Sequence, residues 1–148
     1  SYMGEGYLLY EVPRYDVRGK KILEVNSKYY LGDIGLRNGL IGYREAAISG
    51  LLENLVYLEL LRRGLTVRVG RVGEAEIDFV AEGENERHYL QVSYLLESEK
   101  TLERELAPLR AAGDNWPKTI LSLDEFRPRS FEGIRHVSLI DFLMGAQL

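Results

Sequence analysis

The chain has 148 residues, of which 45% are hydrophobic and 28% are charged, and its formal net charge is −4. This size and apolar content are those of one globular domain with a buried core, and they exclude an intrinsically disordered chain. The absence of cysteine excludes disulfide bridges, thiolate zinc sites and cysteine nucleophiles. No apolar run approaches the ~20 residues that cross a bilayer, so the composition predicts a soluble, cytoplasmic protein with no membrane partner.

The first predicted element is a basic β-hairpin. Two β-prone runs, 8–15 and 21–25, flank the polar segment 16–20, and the residues 28–31 extend the second run. Five cations interleaved with tyrosines make this hairpin a candidate for contact with a nucleic-acid backbone. They are Arg14, Arg18, Lys20, Lys21 and Lys28. The same pattern is compatible with a solvated hairpin whose tyrosines pack on the domain. A glycine-rich, turn-rich stretch follows at 32–42.

The apolar spacing then predicts a helix and three strands. The helix spans 49–63, with Ser49 as its N-cap and Gly64 as its stop. The three strands span 65–69, 75–81 and 87–94, with a turn at 70–73 between the first two.

A second helix is predicted over 101–112, and Pro108 inside it favours a kink or two shorter pieces. A strand at 118–123 follows, then a short strand at 136–139 and a final helical turn at 140–144. The order from residue 49 is therefore α-β-β-β-α-β, which is an α/β fold.

Asp78 is the first candidate for chemistry, because a carboxylate between Ile77 and Phe79 in mid-strand is costly without a partner. Strict alternation places Ala75, Ile77, Phe79 and Ala81 on one face of this strand and Glu76, Asp78 and Val80 on the other. Gln91 on the next strand is expected to converge on Asp78 across the hairpin. Glu53 lies beside the apolar stripe of the first helix, so we expect its side chain to be able to reach the same point. Two carboxylates and an amide oxygen would suit a hard cation such as Mg²⁺. The alternative is that Glu76 and Asp78 face solvent on a half-exposed sheet.

Three segments carry a family resemblance: 53–60 (ENLVYLEL), 76–80 (EIDFV) and 89–93 (YLQVS). They resemble the nuclease-like domain of unknown function at the C-terminus of bacterial and archaeal P-loop ATPases of the AAA type. That domain is similar to the restriction-endonuclease-like, PD-(D/E)xK nucleases. The resemblance implies a restriction-endonuclease-like α-β-β-β-α-β core, 46–148, with an N-terminal hairpin extension, 1–45, packed as one unit. It also implies a P-loop ATPase domain in the same parent chain.

The resemblance implies a site residue by residue. Glu53 matches the helix acid, Asp78 the metal-binding aspartate, Gln91 the second acid, and Ser93 the lysine of the D/E-x-K element. In such nucleases the acids hold Mg²⁺ or Mn²⁺ and the lysine orients the attacking water. Glutamine is a neutral ligand and serine carries no charge near neutral pH, so the site is expected to be degenerate. Lys100 or Arg104 would then be the replacement cation, and Glu76 a replacement metal ligand.

We therefore expect a catalytically degenerate nuclease-like domain that acts in DNA binding or in interaction with its own ATPase domain or another partner, including a second copy. Two alternatives stay open. One is a Mg²⁺- or Mn²⁺-dependent DNA nuclease with a displaced cation, and the other is a pure protein-interaction module.

Overall fold

A computed structural model describes residues 9–33, 35, 47–125 and 128–148. These residues form one mixed sheet of eight strands and three helices. The strands are β1 (Leu9–Asp16), β2 (Lys21–Leu31), β3 (Thr66–Val72), β4 (Ala75–Glu82), β5 (Arg87–Val92), β6 (Lys118–Ser122), β7 (Ser130–Phe131) and β8 (Ile134–Ser138). The helices are α1 (Ile48–Arg62), α2 (Glu99–Ala111) and α3 (Leu139–Leu143).

The strand order in the sheet is β2-β1-β3-β4-β5-β6-β8-β7. Strands β3, β4 and β5 form an antiparallel meander, and α2 crosses from β5 to the parallel strand β6. The predicted order α-β-β-β-α-β is thus confirmed from α1 to β6. The predicted hairpin is also present, and β1 pairs in parallel with β3, so the hairpin continues the same sheet. The predicted boundary at 45/46 and most of the turn-rich stretch lie outside the described residues.

The two longer helices cover opposite faces of the sheet. Leu52, Val56 and Leu60 of α1 belong to one buried cluster, together with Phe79 and Leu90. A second buried cluster contains Leu106 and Leu109 of α2, together with Ile77, Val80 and Tyr89 of the sheet. Successive residues of β5 alternate between the clusters, because side chains of a strand point to opposite faces in turn. The sheet is therefore a central layer with a helix on each side.

Strand β4 contains a β-bulge that changes which residues share a face. Arg68 pairs with Val80 and Gly70 pairs with Ile77, so β4 has one more residue than β3 in this interval. As a result, Ile77 packs in the cluster of α2, whereas Phe79 packs in the cluster of α1. The prediction of strict alternation along 75–81 was wrong, because a bulge inserts a residue and shifts the side-chain period.

The stretch 70–73 was also predicted wrongly as a turn. Strand β3 continues to Val72. Gly70 lies within it, where an added Cβ would be 2.9 Å from both Ile77 Cβ and Val80 Cγ2. The glycine thus permits close approach beside the bulge, and the chain reverses at Gly73, which has a φ of 61°.

The helix boundaries differ in two places from those predicted. Helix α1 begins at Ile48 after Ala47, with no side-chain cap, so Ser49 is not its N-cap. Helix α2 is continuous through Pro108, with Ser98 as an N-cap that accepts from the Thr101 N–H. The prediction of two pieces was wrong because Leu106, Pro108 and Leu109 are all buried against the sheet, and this packing outweighs the bond lost at the proline. Within the described residues, no helix is both long and apolar enough to cross a membrane.

Candidate functional site

Asp78 lies where strands β4 and β5 diverge. Their ladder runs from Glu82 opposite Arg87 to Phe79 opposite Leu90. Beyond that point side chains take over the hydrogen bonding. The Asp78 N–H donates to Gln91 Oε1 at 3.1 Å, and the Val92 N–H donates to Asp78 Oδ2 at 2.9 Å. Asp78 and Gln91 therefore meet, but through the backbone N–H of Asp78. The predicted convergence of their two side chains on one face is not what joins them, because the carboxylate accepts from the Val92 N–H and the Gln91 amide nitrogen donates to Glu105.

An ion-pair cluster lies on the α1 side of this point, and it consists of Arg14, Lys28, Tyr30, Glu53 and Glu76. Lys28 Nζ is 2.9 Å from Glu53 Oε1 and 2.5 Å from Glu76 Oε1. The Tyr30 hydroxyl also donates to Glu53, and the Arg14 guanidinium donates to Glu76. Two carboxylates thus share two cations and one hydroxyl.

The hairpin and α1 are built so that Lys28 meets Glu53. Between the pairs Val12–Lys28 and Arg14–Leu23, strand β2 has a bulge at 24–27, and Arg14 Nε donates to the carbonyl of Asn26 in this bulge at 2.5 Å. This bulge turns the second half of β2 relative to the first.

Asn54, the residue after Glu53, fixes the end of β2 against α1. Its side chain accepts from the Leu31 N–H at 2.9 Å and donates to the Leu31 carbonyl at 2.8 Å. The adjacent pair Glu53–Asn54 therefore holds the strand by an ion pair and by two backbone hydrogen bonds.

The electrostatics of the cluster separate Asp78 from the two glutamates. Burial and then the Glu53 carboxylate together raise the pKa of Asp78 to about 7, against the opposing effects of the Val92 N–H and Lys28. Burial also disfavours the charged form of Glu76, but the hydrogen bonds from Lys28 and Arg14 hold its pKa below the ordinary value. Burial acts to lower the pKa of Lys28, but the attraction of Glu53 and the hydrogen bonds to Glu76 and Glu53 together outweigh it and raise that pKa.

Tyr30 stays a hydroxyl at every ordinary pH. Burial, and then the Glu53 charge, raise the pKa of its phenol far above its usual range. Its ring stacks on Tyr57 with centroids 4.6 Å apart. Tyr30 is therefore a permanent hydrogen-bond donor to Glu53.

A different arrangement lies on the α2 side of the sheet. Gln91 Nε2 donates to Glu105 Oε2 at 3.0 Å, and both residues are buried. Glu105 Oε1 accepts in turn from the largely exposed guanidinium of Arg104 at 2.8 Å. We call Gln91 and Glu105 the acid–amide pair.

The remaining predicted site residues lie elsewhere. Ser93 is buried, and its hydroxyl donates to the Leu95 carbonyl at 3.4 Å. Lys100 is exposed in the first turn of α2. In the described part of the chain, the cation that contacts Glu53 and Glu76 is Lys28, which the sequence suggested only as a nucleic-acid contact. The spacing of Lys28 and Tyr30, two residues apart on one strand, was the signal for a shared face.

A divalent cation does not fit the carboxylates as they are arranged. The Lys28 ammonium lies between Glu53 and Glu76 at hydrogen-bond distance from both. Across 9–33, 47–125 and 128–148, no three Asp, Glu or His side chains are grouped in a way that could hold a metal ion. Mg²⁺ and Mn²⁺ need several oxygen ligands around one point, and here a protein cation already has that position.

The five basic hairpin residues divide into two sets. Arg14 and Lys28 are engaged in the ion-pair cluster. Arg18, Lys20 and Lys21 lie at or beside the exposed β1–β2 turn, where Arg18 also donates to the Ala111 carbonyl at 3.2 Å. Of these five hairpin residues, the ones available to an external anion are therefore Arg18, Lys20 and Lys21 at the turn.

The chain is similar to an uncharacterized protein of Haemophilus influenzae, with 37% identity over 138 residues. The match covers 93% of this chain and 34% of that protein, so the chain spans about one third of the length of this curated relative. No family model matches the chain, and no solved structure matches it.

Proposed function

We propose that this chain is a restriction-endonuclease-like domain that has lost catalysis and acts by binding. The proposal is supported by the α-β-β-β-α-β order, by the helix on each face of the sheet, and by Asp78 at the divergence of two strands. It is also supported by the neutral residues Gln91 and Ser93 at the positions of the second acid and the lysine.

The observation that carries the loss of catalysis is the position of Lys28. Its ammonium lies between the Glu53 and Glu76 carboxylates, and Arg14 adds a second cation on Glu76. These acids are thereby neutralised within the fold, and a metal ion would have to displace Lys28. Loss of one preorganised charged group costs on the order of 10²–10³ in rate. A site that lacks the metal, and that has Ser93 where the nuclease pattern has a lysine, is therefore expected to show little hydrolysis.

Incubation with plasmid and single-stranded DNA in Mg²⁺ or Mn²⁺ tests the loss of catalysis. We expect no more cleavage by the wild-type protein than by Asp78→Asn. Metal-dependent cleavage that disappears in Asp78→Asn would instead establish the nuclease with a displaced cation. In that case a parallel loss in Lys28→Gln would identify Lys28 as the displaced cation.

We propose that the binding function uses DNA and the exposed hairpin turn. Arg18, Lys20 and Lys21 place three cations within four residues, away from the acids of the cluster. Contact of three phosphates predicts a slope of about −2 to −3 for log K against log salt concentration, since each contact adds about −0.9.

Fluorescence anisotropy of a labelled oligonucleotide between about 50 mM and 200 mM salt tests this role. We expect Lys20→Gln to weaken binding by roughly threefold to fivefold at low salt, because it removes one phosphate contact. Lys100→Gln makes the same charge change on the exposed start of α2 and is the matched control. Salt-independent binding, or none, would contradict the DNA role and leave the protein-interaction module.

We further propose that the domain works beside a P-loop ATPase domain in the same parent chain, as the family resemblance implies. Most of the Haemophilus relative lies outside its region of similarity to this chain, which leaves length for such a domain. Measurement of ATP hydrolysis by the full parent protein, with and without DNA, tests this. A parent chain without a phosphate-binding loop would overturn it.

A further inference from the structure

In the acid–amide pair, Glu105 of helix α2 restricts which side chain can occupy position 91 of strand β5. Gln91 uses both ends of its amide: Nε2 donates to Glu105 Oε2 at 3.0 Å, and Oε1 accepts from the Asp78 N–H at 3.1 Å. A carboxylate accepts only, so Glu105 requires a donor in front of it. The backbone N–H of Asp78 requires an acceptor. An amide meets both demands at once, and its orientation is fixed by them.

A glutamate at position 91 would meet only one demand. Its second oxygen would face the Glu105 carboxylate at hydrogen-bond distance, in a place where both side chains are buried. Two carboxylates at that separation cannot both be ionised, because water is too scarce there to screen them. The nuclease pattern and Glu105 are therefore incompatible unless one of the two acids is neutral.

We infer that Gln91 and Glu105 are an exchanged acid–amide pair, in which Glu105 of α2 dictates the neutral residue on β5 and, through it, positions Asp78. That the acid and the amide have exchanged places rests on the proposed function, in which the nuclease pattern has an acid at position 91. Glu105 is a positioning residue that acts through Gln91. The pair closes the hydrogen bonding where β4 and β5 diverge, and the Val92 bond to Asp78 Oδ2 completes it on the other side of Asp78.

The test is a double-mutant cycle of wild type, Gln91→Glu, Glu105→Gln and the double exchange, each unfolded in urea above neutral pH. Gln91→Glu is expected to raise the unfolding equilibrium constant roughly tenfold or more, because it opposes two buried acids. In the double exchange the amide at 105 donates to the acid at 91, so the constant returns to within about threefold of wild type. Two controls accompany the cycle. Arg104→Gln measures the cost of losing the contact between Arg104 and Glu105, and Glu99→Gln measures the effect of removing one acidic charge from the exposed surface of α2.

Rescue by the second substitution is the readout that a merely structural glutamine would not give. A double exchange no more stable than Gln91→Glu, or a Gln91→Glu variant as stable as wild type, would overturn the inference.

A second variant covers the case in which Gln91→Glu does not fold. Glu105→Leu leaves Gln91 in place but removes the acceptor of its amide nitrogen. We expect hydrogen exchange of the Asp78 and Val92 backbone amides to accelerate at least about tenfold. The amide of Val80, which lies in β4 with Asp78, should exchange at an unchanged rate. Unchanged exchange would overturn the inference. Neither experiment uses metal or DNA, so cleavage by the wild-type protein would contradict the proposed function and leave the pair intact.

Discussion

The two sides of strand β4 neutralise acids by different means. On the α1 side, Glu53 and Glu76 retain 21% and 33% of their side-chain exposure and are paired with Lys28 and Arg14. On the α2 side, Glu105 retains 11% and is paired with a neutral amide and a largely exposed arginine. Partial hydration lowers the cost of holding two opposite charges together, whereas a fully buried second charge would cost several kcal/mol. The difference teaches that the two more exposed acids contact an ammonium directly, whereas Glu105 contacts an amide through one oxygen and a solvent-exposed guanidinium through the other.

Loss of Lys28 breaks the α1 side. Lys28→Met leaves Glu53 and Glu76 without their shared cation, and we expect a loss of about 3 kcal/mol in the free energy of unfolding. Chemical denaturation measures it. Lys21→Met changes an exposed lysine of the same strand and should cost no more than about 0.5 kcal/mol. Equal effects of the two substitutions would show that the cluster contributes nothing to stability.

The pH dependence of Asp78 sharpens the contrast between the sides. Its ordinary pKa is 3.8 and its folded pKa is about 7, so between these values the folded state holds a proton that the unfolded state has released. Stability from this group is therefore lost as pH rises through that window. Asp78→Asn removes the dependence while its amide oxygen still accepts from the Val92 N–H.

We expect the free energy of unfolding of the variant to rise by about 4 kcal/mol relative to wild type between about pH 4 and pH 8. Parallel denaturation series of both proteins measure the difference, and effects of groups common to both, such as Glu76, cancel. A difference that is constant with pH would contradict the raised pKa.

Gly70 tests the close approach of β3 to β4 beside the bulge. Gly70→Ala introduces a Cβ 2.9 Å from Ile77 and Val80, both fully buried beside the bulge. We expect a loss of about 1–2 kcal/mol, because neither neighbour can move without disturbing the packing against α2. Thermal unfolding measures it, with Ala75→Gly on the half-buried end of β4 as a comparison. A stabilised variant would show that the strands can separate freely here.

The smallest expected effect is that of the Tyr30 hydroxyl. Tyr30→Phe keeps the stack on Tyr57 but removes the donor to Glu53, and about 1 kcal/mol should be lost. Denaturation of Tyr30→Phe in the wild-type and Lys28→Met backgrounds measures the coupling between the two donors. Strict additivity would mean that they do not act on one carboxylate.

The sequence predicted the element order and the proximity of residues 78 and 91, because both depend on local periodicity and on a short hairpin. It did not predict that their contact uses the backbone N–H of Asp78. It did not predict the bulges in β2 and β4, since the pairing register depends on contacts between strands distant in sequence.

The partners of the acids were missed for the same reason. Lys28 is 25 residues from Glu53 along the chain, and the two meet only because β2 lies at the edge of the sheet beside α1. Glu105 reaches Gln91 only when α2 packs across the sheet. Alternation along β2 places Lys28 and Tyr30 on one face, but it carries no information on which residue of α1 they contact.

The most direct test of the central claim is a calorimetric titration of the wild-type protein with Mn²⁺. If Lys28 holds the position between Glu53 and Glu76 where a metal would bind, no saturable binding should occur up to millimolar Mn²⁺. Saturable binding that is lost in Asp78→Asn would contradict the account and establish a metal centre at this site.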